Sequence, residues 1–133
     1  MMIKVVRDRS SPMRHIVEVG RHRIATDLGA EAGGGDSGPS PHDLYDAALG
    51  ACKALTVLWY AQRSGIPVEG IELSVERDAS EERTGTYRLH AALSLSGNLS
   101  AEQRAQLRKV AQKCPVHKLM TTVTTEITTT LRD

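Results

Sequence analysis

The sequence predicts an α+β protein in which short antiparallel strands accompany two principal helices. Three observations carry this prediction. From Ser40 to Gly65, helix start and stop signals enclose an almost unbroken apolar run. Ile71 to Glu76 and Tyr87 to Leu95 alternate apolar and polar residues with the period of a half-buried strand. From Ala101 to about Lys113 a helical pattern follows a Ser100/Gln103 capping box and places Leu107, Val110, Ala111 and Cys114 on one face.

Taken in order, Met2 to Val6 is a short β-prone run, and Met13 to Val19 follows the breaker Asp8-Arg9-Ser10-Ser11-Pro12. Gly20 marks a turn, and Arg21 to Asp27 returns the chain, which completes an N-terminal meander. The glycine-rich stretch from Gly29 to Ser40 suits no regular element. It invites a phosphate-binding reading, but neither a P-loop nor a dinucleotide fingerprint is present, so its glycines are expected to let backbone pass close to a neighbour.

Ser40 is the N-cap of the central helix, Pro41 suits its first position, and Asp43 stands where a capping box needs an acceptor. Gly65 and Pro67 stop it. Between them Ala47 to Ala51, Ala54, Leu55, Val57, Leu58, Trp59 and Ala61 cover nearly every face, interrupted by Lys53 and Thr56. The run is too short to span a bilayer, so the helix is expected to be central and buried, with Cys52 in an apolar interior.

Asp78 to Arg83 with Gly85 connects the two alternating strands as a hairpin, and Gly97-Asn98 ends the second. Cys114 closes the second helix; Pro115 disfavours α geometry there and starts a further helical turn through Val116 to Met120. Val123, Ile127 and Leu131 among the threonines of Thr121 to Thr130 suggest a last strand, for six in all.

The 133 residues fit one domain, residues 1–133, and 25% charged with 40% hydrophobic residues indicate a soluble globular chain. With no Phe, the core buries little area per residue, and oligomerisation would help to cover the central helix. A net charge of +1, three Tyr and one Trp leave no obvious surface for nucleic acid or an anionic membrane. No signal peptide or membrane span is visible, which predicts a cytoplasmic protein. Two cysteines in a reducing compartment seldom make a structural disulfide.

Cys52 and Cys114 lie on the two helices of the core. One reading is two buried, inert thiols. The other needs a thiolate, which an apolar site opposes unless a cation stands close; Arg14, Arg21, Arg23 and His117 are the candidates, with Arg23 and Arg14 first because their strands can face the helix. Cys-Pro-Val-His with Cys52 and His42 also sketches a zinc site, but only one close-spaced ligand pair exists. Cys52, His117 and Asp43 together suggest acyl transfer, for which no oxyanion hole is recognisable.

The residues Gly33-Gly-Gly-Asp-Ser-Gly-Pro-Ser-Pro-His-Asp-Leu-Tyr-Asp-Ala-Ala-Leu-Gly-Ala-Cys52, the strand pair after them, Leu99 to Leu107, and Lys113-Cys-Pro-Val-His-Lys118 together resemble the OsmC/Ohr family of thiol-dependent hydroperoxide reductases. The likeness runs from about Ile16 onward. It implies an OsmC-like fold, with antiparallel sheets wrapped around two long central helices in an intertwined homodimer and a site at the subunit interface. It further implies that Cys52 is the peroxidatic thiol and Cys114 the resolving one, that an external dithiol or dihydrolipoyl group restores them, and that no metal or organic cofactor takes part. An apolar pocket lined by the central helix, with Leu49 and Leu55 and with His42 and His117 near it, suits an organic hydroperoxide.

Family members pair the reactive cysteine with an arginine and a glutamate just after the proline of the loop-to-helix junction. Here that place holds His42 and Asp43, and the glycine-rich loop has no arginine. The alternative function is an OsmC-like module that binds an apolar ligand or senses oxidants without turnover.

Overall fold

The computed structural model describes residues 1–132. The chain divides into two compact units, the first from Met1 to Ala47 and the second from Ala48 onward.

In the first unit, β1 (Ile3–Arg7), β2 (His15–Val19) and β3 (His22–Thr26) form an antiparallel meander in the order β1-β2-β3. Gly20 turns it at φ +59°, a conformation glycine adopts without a Cβ penalty. The second strand starts later than the expected Met13 for a local reason. Asp8 accepts hydrogen bonds from the Ser10 N–H (3.0 Å) and hydroxyl (2.6 Å) and from Arg14 Nε (2.8 Å), which folds residues 8–14 into a closed turn.

Asp27 organises the glycine-rich stretch. Its buried carboxylate accepts from Leu28 N (2.8 Å), Gly35 N (3.3 Å), Ser37 N (3.1 Å) and the Ser37 hydroxyl (2.5 Å). One turn of 3-10 helix, Ala30–Ala32, interrupts a stretch expected to hold no regular element. Close backbone passage is real: a Cβ on Gly38 would stand 2.6 Å from the Ala25 carbonyl oxygen.

Helix α1 spans Pro41–Arg63. At its start Ser40 N donates to Asp43 Oδ2 (2.9 Å) and Asp43 N donates to Ser40 Oγ (3.1 Å), a reciprocal capping box with Asp in the usual place of Glu. At its end Gly65 has φ +67° and Ile66 N donates to the Ala61 carbonyl at 2.9 Å, the 6→1 bond of a Schellman motif. Ile66 is itself buried with Ala61, so the cap and its apolar contact form together.

In the second unit, β4 (Val68–Asp78) and β5 (Arg88–Gly97) pair antiparallel from Val68↔Gly97 to Asp78↔Arg88, with one irregularity between Val68 and Gly70. Their alternation is the expected one, with Ile71, Leu73 and Val75 on β4 and Leu89, Ala91, Leu93 and Leu95 on β5 on the less exposed face. Helix α2 (Ala101–Gln112) starts at the Ser100/Gln103 capping box, and α3 (Pro115–Thr121) follows at once. Val57, Ala61, Ile66, Leu107 and Ala111 form the buried core of this unit.

Two expectations are corrected. The threonine-rich segment forms no strand among the described residues, so there are five strands rather than six, and Ile127 and Leu131 are 81% and 94% exposed. β-branched residues favour a pleated surface, but a strand exists only where a neighbouring edge takes its hydrogen bonds. Nor is α1 buried all round. Leu49, Lys53, Val57 and Ala61, four residues apart, are buried, while Leu55 and Trp59 on another face are 67% and 56% exposed. Cys52, one residue off the buried stripe, is half-buried instead of interior.

Candidate functional site

The second unit gathers both cysteines at the junction of α2 and α3. Proline at 115 holds the residue before it out of α geometry, and Cys114 accordingly has φ −65° and ψ 148°. It is therefore the N-cap of α3, and its sulfur takes the role usually filled by a hydroxyl or carboxylate: His117 N donates to Cys114 Sγ at 3.4 Å. One residue earlier on α3, Val116 N donates to Cys52 Sγ at 3.5 Å, so α1 and α3 are joined through the first cysteine. Thr56, one turn along α1, has its hydroxyl 3.9 Å from the same sulfur.

Both cysteines are free thiols, but their surroundings differ. Cys114 has no exposed surface. Burial pushes its thiol up from the ordinary cysteine value, the neighbouring Cys52 adds to this, and the His117 N–H and the charge of Lys53 oppose it. Cys52 retains access to solvent.

Lys53 is a side chain at this site that its place in the apolar run did not single out. It is buried, and its Nζ donates to the Ala111 carbonyl at 2.8 Å and meets His117 Nδ1 at 3.0 Å. A lysine ammonium has only donors, so in this contact Nδ1 takes the acceptor role. Ala111 is four residues before Pro115, which has no N–H, and Lys53 supplies the hydrogen bond that the helix cannot. A cavity of about 550 Å³ lies beside Lys53, lined by Leu73, Leu93 and Leu95 with Arg104 and Arg108.

Of the residues expected at the site, the structure thus brings Cys52, Cys114 and His117 together. Leu49 is buried on α1 and Leu55 is exposed on it; neither lines that cavity. The remaining candidates belong to the first unit. Arg14 is bound to Asp8, with Nη2 2.6 Å from Oδ2, and the Ser10 hydroxyl and Arg14 hold the Asp8 carboxyl down at about 2. Arg23 lies opposite Glu18 in the β2–β3 register. Asp43 serves the capping box, and His42 is exposed in the first turn of α1. Among the described residues no group of three or more His, Cys, Asp or Glu side chains is placed to hold a metal ion. No helix among them is long and apolar enough to cross a membrane.

Residues 33–130 match the OsmC family profile, described as OsmC-like protein. The chain belongs to the OsmC-like family. No curated protein matches it, but solved structures share its α+β fold. An OsmC-like protein from Mycoplasma pneumoniae superposes with a TM-score of 0.73 at 17% identity, over 92% of this chain and 87% of the other. The organic hydroperoxide resistance protein OhrB of Bacillus subtilis gives 0.61 at 21% identity, over 92% of both chains. An organic hydroperoxide resistance protein OsmC from Legionella pneumophila gives 0.62 at 19% identity, over 92% and 90%.

Proposed function

We propose that the protein is a thiol-dependent peroxidase that reduces organic hydroperoxides. The observation that carries this reading is the pairing of a half-buried Cys52 with a fully buried Cys114, both sulfurs receiving N–H groups from one turn of α3. The accessible sulfur is the one a peroxide reaches, so Cys52 is the attacking thiol and Cys114 the resolving one. Cys52 thiolate attacks the outer oxygen of the O–O bond; the alkoxide leaves, takes a proton and departs as an alcohol, and Cys52 becomes a sulfenic acid. The Cys114 sulfur then attacks Cys52, the S–O bond breaks, and hydroxide leaves with the proton of Cys114 as water. A small dithiol or lipoyl-type reductant returns the disulfide to two thiols by exchange, with no bound cofactor.

The exposed apolar face of α1, with Leu55 and Trp59, supports a homodimer in which a second copy covers it. A cytoplasmic setting agrees with free thiols and with a dithiol reductant.

Intact-mass measurement after one equivalent of an organic hydroperoxide tests the chemistry. The wild type loses two hydrogens, Cys114→Ser gains one oxygen as a trapped sulfenic acid, and Cys52→Ser is unchanged. Unmodified wild type and Cys114→Ser protein would refute the peroxidase reading.

A further inference from the structure

Lys53 is the one buried charged side chain among the described residues of the second unit. A buried cation is costly unless it is compensated. No carboxylate among the described residues pairs with Lys53; its partners are a carbonyl and an imidazole nitrogen, both neutral acceptors. The residue bonded to it, His117, also donates its N–H to Cys114, and Cys52 precedes it on α1. The anion available to this cation is therefore a thiolate of the cysteine pair.

We propose that Lys53 is the charge-compensating residue of the resolution step, holding a positive charge where the buried Cys114 sulfur must become anionic to attack oxidised Cys52. This rests on the peroxidase reading above and adds to it a group that acts in the second step. The first step needs negative charge on a half-exposed sulfur that solvent can reach; the second needs it on a sulfur with no exposed surface. Burial opposes that charge and Lys53 offsets it, consistent with the direction in which the lysine acts on the Cys114 thiol. In the step itself the Cys114 electron pair forms the S–S bond, the Cys52 S–O bond breaks, and the departing hydroxide combines with the Cys114 proton. The sulfenic acid is the oxidant, so no further reactant enters.

Lys53 also caps α2 through Ala111, so the test must separate charge from capping. Lys53→Gln keeps a donor without the charge, Lys53→Met removes both, and Lys53→Arg keeps both. After addition of tert-butyl hydroperoxide, Cys52 sulfenic acid trapped by dimedone and disulfide closure are followed by rapid quench and mass analysis. In Lys53→Gln and Lys53→Met the sulfenic acid forms but persists, with closure about tenfold slower or more, as expected when the cation that offsets a buried thiolate is removed. Lys53→Arg closes at close to the wild-type rate.

A second measurement needs no peroxide. In a Cys52→Ser background the ultraviolet thiolate absorbance of Cys114 is titrated with and without Lys53→Gln, and the titration moves upward when the charge is lost. The other titratable groups around Cys114 and Lys53 are Cys52 on α1, His117 on α3, His90 on β5, and Arg104 and Arg108 on α2; His117→Gln, run in parallel, removes the histidine contribution from the curve. A titration that does not move, or closure at the wild-type rate in folded Lys53→Gln and Lys53→Met, overturns the assignment. Wild-type protein that stays reduced with peroxide while the titration still moves with Lys53 refutes the peroxidase reading alone.

Discussion

Leu107→Ala perturbs the contact on which the thiol site stands. Leu107 has no exposed surface and packs among Val57, Ala61, Ile66 and Ala111, where α2 meets α1. Truncation removes three carbons; at about 0.8 kcal/mol for each buried methylene the transfer loss is about 2.4 kcal/mol, and the cavity left behind raises it to about 3–4 kcal/mol. That is a large fraction of the ~5–15 kcal/mol that holds a typical domain folded. Urea denaturation followed by circular dichroism measures it as a fall in midpoint at unchanged slope. Ala111 packs in the same cluster three residues before Cys114, so the same variant also loosens the end of α2 and speeds labelling of the buried Cys114 thiol by a maleimide. A stability loss below about 1 kcal/mol, with unchanged labelling, would show that the α1–α2 contact does not support the site.

Asp27 gives a pH dependence with a defined sign. The Ser37 hydroxyl, then backbone N–H groups, hold its carboxyl at about 2 against an ordinary 3.8, so the folded loop favours the anion. The contribution is fully present above pH 3.8 and is lost as the pH falls toward 2. Hydrogen exchange of the amides of Gly35 and Ser37 should quicken over that interval, and Asp27→Asn should show quick exchange already at neutral pH; slow exchange throughout in the variant contradicts the assignment. Gly97→Ala should destabilise by about 1–3 kcal/mol, because Gly97 has φ +128° and an added Cβ would lie 2.5 Å from the Pro67 carbonyl oxygen. An unshifted denaturation midpoint would show that the end of the hairpin relaxes without strain.

Features whose cause lies within a few residues were legible in the sequence. The Ser40/Asp43 and Ser100/Gln103 boxes, the Gly65 stop, and the extended Cys114 before Pro115 follow from local hydrogen bonding and sterics, and all are present. That the threonine-rich segment forms no strand among the described residues was not legible, since β propensity at Val123 to Leu131 says nothing about whether an edge is there to pair with it. Lys53 was passed over as a polar interruption of an apolar helix. Its spacing held the missing signal: it stands four residues from both Leu49 and Val57, on the stripe that is buried. What no spacing shows is the carbonyl waiting for it, because that vacancy arises from Pro115 more than sixty residues away. The two interruptions of the apolar run, Lys53 and Thr56, turn out to be the α1 residues with side chains at the thiol site beside Cys52.

The Cys114 cap has a consequence for rate as well as for shape. Proline restricts the backbone of Cys114, and the His117 N–H restrains its sulfur. A free cysteine samples several rotamers and must find one before its sulfur meets a partner. Here that search is largely over when the chain has folded, so the local concentration of the second thiol seen by the first is set by architecture, as in an intramolecular reaction with its ends already in place.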